Sequence, residues 1–145
     1  MTTDIRRVAS RILLEVINEG NFDLLDELLA PDFVDHTPRR GVPPTRAGLK
    51  QAITELEGAF PDVRYAIDDA FTCGDLVVHR LSATGTMTGT FMGIPATGKP
   101  ATWSEIHIGR VVNERLTEHW GLVDQLGMLV QLGIVPEPGR VPATV

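Results

Sequence analysis

The chain carries a single cysteine, Cys73, so it can form no internal disulfide and no cysteine-built metal site. It has no run approaching the ~20 apolar residues that a membrane-spanning helix needs. Its first stretch, Met1 to Arg11, mixes polar and apolar residues and lacks the apolar core of a secretory leader. A soluble chain in a reducing, cytoplasmic compartment, with no membrane partner, is the expectation. Positive charge is also scarce. Thirteen Lys and Arg stand against 19 Asp and Glu, for a formal charge of −6. The densest later basic pair is Arg39-Arg40, too little for a phosphate-binding stripe, and nucleic acid is excluded as a partner. The spacings His-x-His, His-x-x-x-His and Glu-x-x-His are missing, so no metal is expected. No Gly-x-Ser-x-Gly motif and no phosphate-cradling glycine turn occur.

What is present suits one globular core. The chain has 145 residues, 43% of them hydrophobic, which fits one domain and leaves little room for a second. Ile5, Val8, Ala9, Ile12, Leu13, Val16 and Ile17 recur at helical spacing, and Gly20 supplies a stop. Asn21 is placed to cap a second helix carrying Phe22, Leu24, Leu25, Leu28 and Leu29, which Pro31 ends. Asp32 to Thr45 reads as loop, because Pro38, Gly41, Pro43 and Pro44 interrupt it. Thr45 then caps a third helix through Leu49, Ala52, Ile53 and Leu56. From about Asp62 the period changes to two. Val63, Tyr65 and Ile67 alternate, and Leu76 to about Thr90, Ala101 to Val112 and Leu116 to Asp124 follow as strands. Gly89 to Pro100 reads as loop, and Leu126 to Leu132 as a last helical turn. Three helices followed by about four antiparallel strands make the class α+β.

The alternation also sorts the polar side chains. Trp103, Glu105, His107 and Gly109 share one face of their strand, and Thr117, His119 and Gly121 share one face of the next. A short turn at Asn113-Glu114 makes these strands neighbours, and pairs summing to about 226 set His107 opposite His119 and Glu105 opposite Gly121. Two adjacent histidines beside a carboxylate can serve as general acid and base; each can equally be a hydrogen-bonded core residue. His36 follows an apolar helix in a loop that can reach a pocket mouth. His79, on the long strand, is the weakest candidate of the four histidines. Asp124 fits two roles, catalysis or capping the helical turn after it. Met87, Phe91, Met92, Ile94 and Trp103 gather around the glycine-rich loop, either as walls of an apolar pocket or as core and subunit contact.

The segment Thr86 to Gly98, Thr-Met-Thr-Gly-Thr-Phe-Met-Gly-Ile-Pro-Ala-Thr-Gly, resembles its counterpart in the SnoaL-like polyketide cyclases. Pro31-Asp32-Phe33-Val34-Asp35-His36, Phe60-Pro61-Asp62, Gly74-Asp75, Glu118-His119-Trp120 with Asp124, and Gln131-Leu132-Gly133 agree with it in order and spacing. The resemblance implies a nuclear transport factor 2-like fold, a curved antiparallel sheet packed on about three N-terminal helices around a cone-shaped cavity. Residues 1–135 would form that domain and 136–145 a frayed tail. It also implies cofactor-free acid–base chemistry on a small or polyketide-derived carbonyl compound: aldol-type cyclisation, isomerisation or dehydration. A homodimer is implied as well. His107, His119 and Asp124 match family positions, and His36, Phe60, Met87, Phe91, Met92, Trp103 and Trp120 are the expected substrate contacts. The family's catalytic aspartate aligns with Gly121, which cannot move a proton, so Glu105 is the expected substitute. Two other readings remain open on the same fold. One is a ligand-binding module without catalysis. The other is an epoxide hydrolase, for which Arg80 and Arg110 lack an inward pair of aspartates.

Overall fold

A computed structural model describes residues 4–139, so the expected fraying of the tail falls mostly on 140–145, outside the described residues. The first amphipathic stripe folds as expected. Asp4 caps helix α1 (Ile5–Arg11) by accepting from the Arg6 N–H, and the helix runs on through a wider π turn, Ile12–Ile17. Val8, Ile12 and Val16 line its buried side. Gly20, at φ 77°, reverses the chain in the left-handed region open to glycine. A 3₁₀ turn, Phe22–Leu24, leads into α2 (Leu25–Leu28). Here one expectation fails: Asn21 makes no side-chain cap. Thr45 does cap α3 (Arg46–Ala59), its Oγ1 accepting from the Gly48 N–H at 3.2 Å.

Five strands follow the helices or lie between them: β1 (Leu29–Asp35), β2 (Arg64–Cys73), β3 (Leu76–Thr86), β4 (Pro100–Val112) and β5 (Arg115–Val123). Helix α4 (Gln125–Gln131) closes the fold. The sheet order is β1-β5-β4-β3-β2, with β1 parallel to β5 and the other neighbours antiparallel. The sheet is thus mixed rather than purely antiparallel, and β1 corrects the loop expected from Asp32. Pro31 argued for a chain break, yet an edge strand tolerates proline, and the ladder with β5 is irregular between Leu29 and Val34, where Pro31 falls.

The buried sides of the helices cover one face of this sheet. Val8, Ile12, Val16 and Ile53 pack with Val77, Val111 and Leu116. Leu56, Phe60, Met128 and Leu132 pack with Tyr65, Leu81 and Trp103. Among the described residues the other face carries exposed apolar side chains, with Phe71 at 57%, Ile106 at 52% and Leu122 at 78% exposure. None of the described helices is long and apolar enough to cross a membrane.

The β4–β5 register departs from the expected one by two. Asn113 and Glu114 form a tight turn with positive φ at both residues. A bulge between Arg110 and Val111 of the ladder then gives β5 one residue more than β4. His107 therefore stands opposite Gly121, Gly109 opposite His119, and Glu105 opposite Val123. The side chains stay on the expected faces, but the two histidines are diagonal neighbours rather than direct partners.

Candidate active site

The diagonal brings the histidines closer than a direct pairing requires. His107 Nδ1 lies 2.6 Å from His119 Nε2, with ring centroids 4.9 Å apart and planes 23° from parallel. Gly121 makes this possible. A Cβ there would come within 2.5 Å of His107 Nδ1 and 3.0 Å of His119 Cε1. The glycine that replaces the expected aspartate is the space into which His107 leans. Gly121→Ala should part the rings and lower turnover by about tenfold, a loss typical of a small misplacement of reacting groups. Circular dichroism would confirm that the variant folds. Unchanged turnover would show that the close pair is dispensable.

A buried carboxylate holds each outer end of the pair. His107 Nε2 meets Glu105 Oε2 at 2.6 Å, and His119 Nδ1 meets Asp35 Oδ1 at 2.9 Å. Glu105 Oε1 also accepts from the Trp103 indole N–H at 2.7 Å and the Tyr65 hydroxyl at 2.9 Å. Asp35 Oδ1 accepts from the Thr37 backbone N–H at 3.0 Å. Glu105 and Asp35 are 5% and 7% exposed. The result is a line of hydrogen bonds, Asp35–His119–His107–Glu105, rooted in the core at both ends.

Proton counting defines what this line can hold. Three contacts among four groups need three protons. With both carboxylates ionised, three N–H protons on two rings make one ring an imidazolium. The carboxylates are suited to that state. Burial raises the Glu105 carboxyl, but the hydrogen bond and charge of His107, with Trp103 and Tyr65, outweigh it and hold it below the usual range. Burial likewise raises Asp35, and His119 and Thr37 pull it below its ordinary value. Tyr65 moves the other way. Burial and then the Glu105 charge push its hydroxyl well up, so it remains a donor.

These shifts carry a sign for stability. A carboxyl depressed in the folded state contributes stability above its unfolded value, near pH 4, and loses it as pH falls through the folded value. The urea midpoint should therefore drop as pH falls below about 4. Asp35→Asn should flatten that drop, and a midpoint equally acid-sensitive in the variant would count against the assignment.

The other candidates separate. Asp124 is the N-cap of α4, its Oδ1 accepting from the Gly127 N–H at 3.0 Å, and it is not a member of the line. His36 stacks on Trp120 at 4.6 Å and contacts Glu118 at 3.0 Å. Trp120 alternates with His119, so this group occupies the opposite face of the sheet and is not brought to the histidine pair. Phe60, Met87, Phe91 and Trp103 are buried together on the inner face, while Met92 is 42% exposed at a loop tip. His79 faces His107 across the β3–β4 ladder and is 4% exposed, and among the described residues its Nε2 has no hydrogen-bond partner. Burial, and then the His107 charge, push it below the usual histidine range, which keeps it neutral. Arg80 is engaged by Asp68 and Asp69, and Arg110 by Asp75 and Glu118. Neither arginine forms an Asp-Arg-Asp set beside the histidines. Among the described residues no group of three His, Cys, Asp or Glu side chains is arranged to hold a metal ion.

Three members of the site are not among the sequence candidates: Thr37 and Tyr65 carry no signal of that role in the sequence, and Asp35 carries one only through the Pro31 to His36 segment that resembles the cyclase family. Asp35 and Thr37 fall in a proline-interrupted segment that reads as loop, and Tyr65 reads only as part of a strand.

The fold has counterparts among known proteins. The family model of the SnoaL-like polyketide cyclases matches residues 7–132, and the chain belongs to that family. It is 30% identical to the aklanonic acid methyl ester cyclase DnrD of Streptomyces peucetius, over 88% of each chain. It is also 30% identical to the aklanonic acid methyl ester cyclase DauD of Streptomyces sp. (strain C5), over 81% of this chain and 74% of that one. Among solved structures, TsrD from Streptomyces laurentii superposes with a TM-score of 0.82 at 28% identity, covering 92% of this chain and 100% of the other. IdmH from Streptomyces antibioticus superposes at 0.79 with 34% identity, covering 90% and 99%.

Proposed function

We propose that this chain closes a ring in a polyketide-derived carbonyl compound by intramolecular aldol addition, without a cofactor, using the histidine pair as base and acid. The observation that carries this reading is the carboxylate–histidine–histidine–carboxylate line. When a substrate parts the rings, His119 Nε2 and His107 Nδ1 both face it, while Asp35 and Glu105 keep the outer nitrogens. In one proton arrangement His119 Nε2 is bare and His107 is the imidazolium. His119 then removes the proton from the carbon next to a carbonyl. The resulting enolate carbon attacks the second carbonyl of the same molecule, and His107 Nδ1 gives its proton to the new alkoxide. One C–H bond and the π bond of the attacked carbonyl break, one C–C and one O–H bond form, and the substrate's atoms are conserved. When the rings close again, the proton on His119 Nε2 returns to His107 and restores the starting state. Glu105 is a weaker choice of base, because three donors already occupy its oxygens.

The test is incubation of the purified chain with aklanonic acid methyl ester and simpler diketones in deuterated water. Ring closure is read by chromatography, and exchange at the carbon next to the carbonyl by mass spectrometry. Exchange and closure that require both histidines support the reading; neither reaction with any of these ketones contradicts it.

A homodimer is part of the same proposal. Phe71, Val78, Ile108 and Trp120 are successive register partners across β2, β3, β4 and β5, and Ile106 pairs with Leu122. This apolar strip, exposed at Phe71, Ile106 and Leu122 and half-buried at Val78, Ile108 and Trp120, lies on the face opposite the helices and suits a second copy. Light scattering should give twice the 15.8 kDa chain mass. Leu122→Arg should halve it, and a monomeric parent chain would contradict the proposal.

A further inference from the structure

We infer that Phe91 fills an aromatic-ring subsite beside the histidine line, and that a flat aromatic part of the ligand takes its place between the Arg39 guanidinium and Phe60. The inference rests on the inner face being the ligand site, as proposed above, and names the chemistry of one part of it.

The subsite is built on two sides, and the Phe60 side is backed by Trp103. Phe60 ends α3 with no exposure, and its ring meets Trp103 at 5.2 Å. Trp103 in turn donates to Glu105, so this wall adjoins the histidine line. The Phe91 ring meets Phe60 edge-on, with centroids 5.5 Å apart. On its other side the Arg39 guanidinium carbon lies 5.1 Å from the Phe91 centroid. Arg39 is fixed there by Glu55 at 3.2 Å. An aromatic ring between a guanidinium and the edge of a second aromatic ring is a ring-recognition arrangement, and a phenol ring of a ligand satisfies it as well as Phe91 does.

Phe91 is also the member that can leave. Phe60 and Trp103 sit at a helix end and on a central strand. Phe91 belongs to a short tip, Phe91 to Ile94, that closes on itself through one isolated bridge. The tip holds Met92 at φ 51°, a left-handed backbone that is unfavourable for a non-glycine residue. Leaving this geometry would release that strain. Both ends of the segment are anchored. The Gly89 N–H donates to the Ala59 carbonyl at 3.1 Å, and the Gly98 N–H to that of Met87 at 2.8 Å. A Cβ at Gly89 would come within 2.1 Å of the Gly58 carbonyl oxygen, so this anchor requires glycine. At the tip, the Gln125 side-chain amide reaches Met92 Sδ at 3.0 Å. A segment fixed at both ends and lightly tied at its tip can lift Phe91 out without unfolding the core.

The experiment measures binding of alizarin, a flat dihydroxyanthraquinone, by calorimetry, and needs no turnover. Phe91→Ala should bind about tenfold more tightly, because the closed tip no longer has to be displaced. Arg39→Ala should bind roughly three- to thirtyfold more weakly. In a second arm, Met92→Cys and Gln125→Cys are combined with Cys73→Ser and joined by a reducible bis-thiosulfonate crosslinker. The joined protein should bind at least about tenfold more weakly, and dithiothreitol should restore binding. This arm decides the matter if Phe91→Ala does not fold. No alizarin binding by the parent chain, or equal affinity in joined and released protein, overturns the inference. Failure of ring closure alongside gated binding would remove the aldol reading and leave the subsite standing.

Discussion

His107→Ala and His119→Ala are each expected to lower kcat for ring closure by about 100-fold or more, the usual contribution of a positioned general acid or base. The two losses should not add. Each ring is useful only while the other completes the line, so the double variant should be little worse than either single one. Both side chains are partly open, at 23% and 17% exposure, so neither truncation leaves a large cavity. The folded fraction should therefore stay near that of the parent, as judged by circular dichroism. Two independent losses that multiply would mean that the rings act separately. Near-normal activity in either variant would remove that ring from the mechanism.

Glu105→Gln is the second large effect, and its logic is tautomeric. The amide oxygen of Gln can still accept from Trp103 and Tyr65, so the core hydrogen bonds survive. The amide nitrogen then faces His107 Nε2, where a carboxylate oxygen had been. That nitrogen donates, so Nε2 must accept, and the only proton left to His107 is on Nδ1. The ring is neutral, the line holds one proton fewer, and the acid that delivers a proton to the alkoxide is lost. Turnover should fall by about 100-fold while KM changes little, and the pH–rate profile should lose the limb that reports the acid. A fall confined to KM would make Glu105 a packing residue only. Asp35→Asn acts by the same logic at the other end and should alter the opposite limb.

The sequence and the structure agree where periodicity rules. Trp103, Glu105 and His107 appear on one face because a strand alternates, and that assignment holds whatever the register. The capping roles of Thr45 and Asp124 were legible because a side-chain oxygen ahead of a helix has a local job. Register was not legible. The turn at Asn113-Glu114 was legible, but its exact pairing and the one-residue bulge after it, which together move Gly121 opposite His107, leave no clear signal in composition. β1 was hidden by its own proline, which signals a break in most contexts but not on an edge strand. Missing β1 meant missing Asp35, since only its parallel pairing with β5 places that carboxylate beside His119. Tyr65 was hidden differently: it reads as one more apolar strand residue until Glu105 is found across the core. In the sequence, Gly121 reads only as a missing proton carrier whose place Glu105 is expected to take. In the fold, that gap makes room for the second histidine.

The histidine ring nitrogens of the ligand-free protein can be read directly by ¹⁵N nuclear magnetic resonance at the pH where the chain is most active. The account requires three protons across the four nitrogens of His107 and His119, with the Asp35-facing and Glu105-facing nitrogens both protonated and one proton shared between the rings. Two neutral rings, each with a single N–H and with no proton between them, would contradict it.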